Sequence, residues 1–263
     1  MGLLRDYLPR HTYGVVGAYQ EQQLTAAVAA VSINDDDTLG LQFPGNHAFQ
    51  AGDRVTVQLD NRLQMARLSE ELPVHRTSYK VVVSTASADF VEVTPAEFQL
   101  AYSDKFVEEY RAPDYRFPPD PRPLRALEES PDARKLQLRG DDAETNLGVL
   151  LTRAPDRPHS TVMAFLSARS GDVFLVTRPQ SYKGHNLFRD ARVVFAVDYR
   201  ETYDLTKPLN WAYRLQAMKA YRISAGRRLH AEVTEAFLRK NPWNARFFAG
   251  PDAILLHLAP VVT

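Results

Sequence analysis

Cysteine is absent from the 263 residues of this chain. That excludes disulfides, thiolate metal sites, iron–sulfur clusters and a cysteine nucleophile together, and it suits a reducing cytoplasm. Net charge is absent as well: 32 Lys and Arg balance 32 Asp and Glu, so no global field draws the protein to nucleic acid or to a membrane. No segment approaches the ~20 apolar residues that span a bilayer. The N-terminal stretch MGLLRDYLPRHTYG breaks after one short apolar pair, without the uninterrupted core of a signal peptide. The expectation is a soluble, cytoplasmic protein. HExxH, GxSxG and GxGxxG are missing and no carboxylate pair stands out for acid/base work, which suits a protein whose chemistry a cofactor carries. No repeat recurs at a solenoid period.

What is present is β-pattern. Apolar residues alternate or come in short runs over residues 25–33, 39–43, 54–59, 63–68, 79–84 and 90–93, separated by DDD, PGN, AGD, DN and SAD. Residues 1–110 therefore read as a small antiparallel β-barrel or sandwich. Asp60-Asn61 offers a two-residue hairpin turn between 57–59 and 63–65, because Asx residues tolerate positive φ. Thr94-Pro95-Ala96-Glu97 has the form of a helix start, with an N-cap, a first-turn proline and a capping-box glutamate, and predicts a helix through Tyr110. Five prolines between Pro113 and Pro123 remove backbone donors, marking residues 111–140 as a linker.

From residue 141 to the end the pattern is again mainly β, with strands expected at 147–153, 160–167, 173–177, 193–199, within 211–224 and at 254–258. A short helix is expected to begin near Gly184, and another over 232–239. The chemistry concentrates between 171 and 198. A strand ends in Thr177, whose hydroxyl can donate at the strand mouth, and Ser181 and Lys183 add a hydroxyl and an ammonium just before the short helix. Free N–H groups and the helix dipole both favour negative charge at such a place, so phosphate is the natural guest, with Gly184 allowing close backbone approach. A Ser-x-Lys triplet after a strand is also common in solvated loops.

The run LLTRAPDRPHSTVMAFLSARSGDVFLVTRPQSYKGHNLFRDARVVFAVD resembles the core of the pyridoxamine 5′-phosphate oxidase-like, FMN-binding split-barrel family. The matching features are the acidic turn Asp156-Arg157-Pro158, the strand-ending Thr177, Ser181-x-Lys183, Asn186-Leu187 and Val193. The resemblance implies a six-stranded split β-barrel with short helices in residues 141–263, and a homodimer with FMN in a groove between two subunits. It implies that Val176 and Thr177 touch the flavin or its ribityl chain, that Ser181 and Lys183 bind phosphate, and that Thr161, Val162 and Met163 flank the isoalloxazine. Tyr182 and Asn186 fall in the same cofactor segment. Tyr182 stands where the oxidase itself has an arginine, Thr161 and Leu166 replace a phosphate- and flavin-binding arginine and lysine, and the C-terminal substrate motif is missing. Pyridoxine-phosphate oxidation is thereby disfavoured. Arg178, Lys219 and Arg222 are candidates to supply the missing charge.

These features predict an FMN-dependent oxidoreductase taking hydride from a reduced nicotinamide or a small organic substrate. The alternative is a non-catalytic flavin- or nucleotide-binding or sensory module. Some split-barrel relatives bind haem, for which His159 or His185 would be the axial ligand, although a lone histidine more often caps a turn. Trp211 and Tyr213 could cover a flavin or simply fill an interface. Asp35-Asp36-Asp37 reads as a solvated turn rather than a metal site. The first barrel has the strand pattern of PilZ-like domains, but Arg62 and Arg67 do not have the spacing of their cyclic-dinucleotide signature.

Overall fold

The computed structural model describes residues 4–62, 74–103, 105–131, 136–143, 145–199, 211–250 and 252–261. The chain is mainly β, with fourteen strands and three short α-helices among the described residues.

The first sheet holds β1 (His11–Gln20), β2 (Gln23–Ile33), β3 (Leu39–Gln42), β4 (Arg54–Asp60), β5 (His75–Ala86), β6 (Phe90–Tyr102) and β7 (Lys105–Arg111). They lie in the order β3-β2-β1-β4-β5-β6-β7, and β3 also pairs with β6, which closes the first six strands into a barrel with β7 outside. Closure removes the exposed edges that a small open sheet would carry. Val16, Val31, Leu41, Val57, Tyr79 and Phe98 fill its interior. The turn after β2 takes up the acidic run: Asp36 accepts from the Thr38 amide at 3.1 Å, and Asp37 adopts φ 63°.

One strand of this sheet was not anticipated, and one expected helix is replaced by strand. β1, not anticipated, joins β2 through Glu21 and Gln22, both at positive φ (48° and 65°). The helix expected from Thr94 is instead the middle of β6. Val91, Val93, Phe98 and Leu100 are all buried, so the tertiary gain of a period-2 apolar face outweighs a local capping signal. Pro95 survives in the strand because the register against β5 slips there, with Lys80 facing Glu97 and Val81 facing Pro95, and a bulge tolerates a missing N–H. Residues 63–73, which include the second arm of the expected 60–61 hairpin, and Arg67, lie outside the described residues.

The second sheet holds β8 (Leu147–Thr152), β9 (His159–Ala164), β10 (Leu166–Ser167), β11 (Val173–Thr177), β12 (Arg192–Asp198), β13 (Tyr213–Ile223) and β14 (Ile254–Pro260). Its order is β10-β11-β14-β13-β12-β8-β9. β9 and β10 are one strand bent at Phe165, pairing with β8 before the bend and β11 after it, so six strands again make a ring. This is the expected split barrel. Leu150, Phe165, Leu175, Phe195 and Met218 fill it. Helix α1 (Tyr182–Arg189) links β11 to β12. α2 (Arg228–Lys240) packs Val233 and Phe237 on Leu166, Phe174 and Val176, and α3 (Ala245–Phe248) follows.

The two barrels meet face to face. Val15 and Val74 of the first share an apolar cluster with Leu147, Val149, Leu151, Val162 and Val194 of the second. Polar bonds surround that seam: Thr56 donates to the Pro158 carbonyl at 2.5 Å, and Arg157 donates to the Val81 carbonyl at 2.6 Å. Arg62, almost fully buried, sits between Asp60 at 3.1 Å and Asp198 at 2.6 Å. The proline-rich segment forms no regular ladder, but it is not a free tether. Arg125 donates to the Phe188 carbonyl at 2.6 Å and Ser130 to the Arg222 carbonyl at 2.7 Å, strapping the segment across the second barrel.

Candidate functional site

A cavity of about 620 Å³ opens between the barrels, inside the ~300–1000 Å³ usual for small-molecule sites. One wall is β9 and the start of α1, with Thr161, Val162, Tyr182 and Lys183. The other is β5 and β6 of the first barrel, with Arg76, Lys80 and Glu97, and Phe117 of the strap closes one side.

Lys183 is the feature that sets the chemistry. Its ammonium has no hydrogen bond or ion pair among the described residues. Burial holds its pKa down to about 8, and the neighbouring Arg76 and Arg178 guanidiniums add repulsion. Lys80 is also pushed below the usual lysine range, chiefly by burial, although its ion pair with Glu97 opposes this. Glu97 further accepts from Arg111 at 2.5 Å. Among the described lining residues Arg76, Lys80, Arg111 and Lys183 are accompanied by a single carboxylate, Glu97, so they make the potential inside positive and would stabilise a buried anion.

Two of the lining side chains are aromatic or polar in a useful way. Tyr182 stands edge-on to His159 at 4.8 Å and to Phe117 at 5.5 Å between ring centroids. Burial raises its phenol well above the ordinary value. His159 is pushed down to about 3 by burial and then by Lys80 and Lys183, so it is neutral near pH 7. Its Nδ1 lies 3.4 Å from Ser78 Oγ and its Nε2 3.2 Å from Thr161 Oγ1. With both ring nitrogens occupied it is poorly disposed to take an axial metal position, and His185 is exposed on α1.

Of the residues expected in a cofactor site, the structure brings Thr161, Val162, Tyr182 and Lys183 to this cavity. Met163 lies inside the second barrel and Val176 under α2. Thr177 is fully buried at the strand end, 3.3 Å from Ser181 Oγ. Ser181 is the N-cap of α1: it accepts from the Gly184 amide at 3.1 Å and donates to the Arg178 carbonyl at 2.7 Å. The helix accordingly starts at Tyr182, two residues before the expected position near Gly184. A Cβ on Gly184 would come within 2.5 Å of the Arg178 and Pro179 carbonyls, so the glycine lets the helix dock on its own entry loop. Asn186 donates to Thr152 Oγ1 at 3.1 Å, tying α1 to β8.

Lys219 pairs with Glu128 and Arg222 with Ser224 Oγ, away from the cavity, while Arg178 lies over the Phe247 ring and close enough to act on Lys183. The charge that sequence reasoning sought comes instead from β5 and β7 of the first barrel, through Arg76, Lys80 and Arg111. The alternation in HRTSYKVVV could have shown Arg76, Ser78 and Lys80 on one strand face, but not which surface that face meets.

No family model matches the chain, and no curated protein does. Among solved structures it is similar to the Agrobacterium tumefaciens protein Atu2129, of unknown function (19% identity, 44% of this chain and 48% of that one, TM-score 0.38). The matched part thus spans about half of that protein. It is also similar to HutZ, a haem storage protein of Vibrio cholerae (16% identity, 49% and 93%, TM-score 0.37). A third similarity is to a Listeria innocua protein provisionally described as a pyridoxamine 5′-phosphate oxidase (17% identity, 44% and 85%, TM-score 0.34). Among the described residues no helix is long and apolar enough to cross a membrane.

Proposed function

We propose that the chain binds FMN in the cavity between its barrels, as an oxidoreductase-type flavoprotein of the pyridoxamine-phosphate-oxidase-like kind and not as that oxidase. The observation that carries this reading is Lys183: an enclosed ammonium without a partner among the described residues, and among further cations, is stabilised when a phosphate arrives. The cavity also has the size and the aromatic, hydroxyl-bearing wall that a phosphorylated planar ring requires. Lys183 would hold the phosphate, with Arg76 and Arg178 reinforcing the field. Thr161, held by the neutral His159, would present its hydroxyl to the ring, and Tyr182 and Phe117 would exclude water. Bound FMN supplies hydride transfer at its isoalloxazine, for exchange with a reduced nicotinamide or a small organic substrate. The occupied nitrogens of His159 favour flavin over haem.

Titration of the purified chain with FMN and with riboflavin tests this. FMN should bind roughly 10- to 100-fold more tightly, and Lys183→Ala should bring the two ligands together. Equal binding of both by the wild-type protein removes the phosphate contact. Bleaching by NADH or NADPH at a catalytic rate separates an enzyme from a protein that merely carries flavin.

A further inference from the structure

The two barrels have the same connectivity. Numbering strands within each, the first closes as β1-β2-β3-β6-β5-β4, and the second, with β9 and β10 taken as one strand, as β8-β9-β11-β14-β13-β12. Both rings therefore run one-two-three-six-five-four.

The register agrees as well. Val15 faces Val28 on one side and Gln58 on the other, and Val149 faces Val162 and Ala196 in the same way. Gln58 and Ala196 are each the fifth residue of a seven-residue strand, RVTVQLD in β4 and RVVFAVD in β12. Each of those strands ends in a buried aspartate, Asp60 or Asp198, and both carboxylates meet Arg62. Val15 and Val149, which are equivalent, lie in the same inter-barrel cluster.

An approximate twofold relation implies a second cavity wherever the first one falls, and it is there. A cavity of about 710 Å³ is lined by residues 25–28 of β2, residues 43–49 between β3 and β4, and Trp211 and Tyr213 at the start of β13. The first cavity takes residues 159–162 of β9, the start of α1 between β11 and β12, and Arg76 to Lys80 on β5. Each thus includes the second strand and the third-to-fourth connection of one barrel and the fifth strand of the other, and the first cavity is lined in addition by β6, β7 and Phe117. By register, 25–28 and 159–162 are the same four positions: Ala18 faces Thr25 as Thr152 faces His159. The contents differ. Among its described lining residues the second cavity has no Lys or Arg, where the first has four.

We propose that this chain is a dimer written into one polypeptide, in which the first barrel does in cis what a second subunit would do, and only one of the two equivalent cavities retains the charge to hold a phosphorylated ligand. In this proposal, pairing between halves of one chain takes the place of the pairing between two subunits expected from the sequence. The ligand count rests on the flavin reading; the internal pairing does not.

The test is sedimentation of the 263-residue chain with and without FMN, together with flavin titration to saturation. The expected result is a species of one chain, 29.7 kDa, carrying one FMN. Lys183→Met should weaken that binding roughly 10- to 100-fold, and Asn46→Ala in the second cavity should leave it unchanged. Two FMN per chain, or an equal loss from Asn46→Ala, overturns the asymmetry of the cavities. A chain that sediments only as a stable dimer overturns the internal pairing whether or not flavin binds. A monomer that binds no flavin upholds the pairing and defeats the flavin reading alone.

Discussion

Replacing Lys183 by methionine should move stability and ligand affinity in opposite directions. In the folded protein burial and two arginines hold the ammonium near a pKa of about 8, against 10.5 for an ordinary lysine. At about 1.4 kcal/mol per tenfold change in proton affinity, that difference amounts to about 3 kcal/mol. Because the side chain is partly exposed, screening reduces the effect to about 1–2 kcal/mol. The sign follows from linkage. The unfolded chain holds this proton more tightly than the folded one, so protonation favours unfolding. The penalty is complete below pH 8, shrinks between pH 8 and 10.5, and is absent above. Lys183→Met should therefore be more stable than the wild type by about 1–2 kcal/mol at pH 7, with the gap closing as the pH approaches 10. Urea unfolding at pH 7, 8.5 and 10 measures it. FMN affinity in the wild type should fall as the pH rises through about 8 and beyond, since the phosphate is already doubly ionised above its second pKa of ~6. In the variant it should be low and flat. A stability difference that does not change with pH would refute the account of Lys183 as a desolvated ammonium.

Two further predictions concern the scaffold around the site. Arg62→Ala leaves two carboxylates, Asp60 and Asp198, facing each other at the inter-barrel seam, and should cost about 3–5 kcal/mol in urea unfolding. A cost below 1 kcal/mol would mean that the arginine does not join the barrels. Gly184→Ala drives a Cβ into the Arg178 and Pro179 carbonyls and should cost about 1–3 kcal/mol while also lowering FMN affinity, read by the same two titrations. If affinity is unchanged, the placement of α1 does not control Lys183.

Most of the second barrel was legible because its strands carry their own signals. The apolar runs before Thr177 and after Asp190 are long, buried on both faces and bounded by turn residues, and they became β11 and β12 with ends within a residue or two of expectation. The first barrel was harder to read. β1 contains two glycines and turns through Glu21-Gln22, which lacks the Asn-Gly signature of its turn type. Thr94-Pro95-Ala96-Glu97 satisfies every local rule for a helix start, yet Val93, Phe98 and Leu100 have a barrel interior to fill. The internal duplication was illegible for a related reason. A β-ring is specified by which strands pair, and RVTVQLD and RVVFAVD share little beyond Arg-Val at one end and aspartate at the other.

The sequence by itself determined that the protein is β-rich, that it has no thiol chemistry, and that a hydroxyl, an ammonium and a helix start stand together near residue 181. It could do so because alternation, turn chemistry and capping act over a few residues. Only the tertiary structure decided what each of those groups does. Ser181 is taken by its own helix, Met163 and Val176 go to two separate cores, and Lys183 faces, with Thr161, Val162 and Tyr182, a cavity whose other cations among the described residues come from β5 and β7 of the first barrel. Electrostatic energy depends on distance and solvent exclusion in space, and neither follows from separation along the chain.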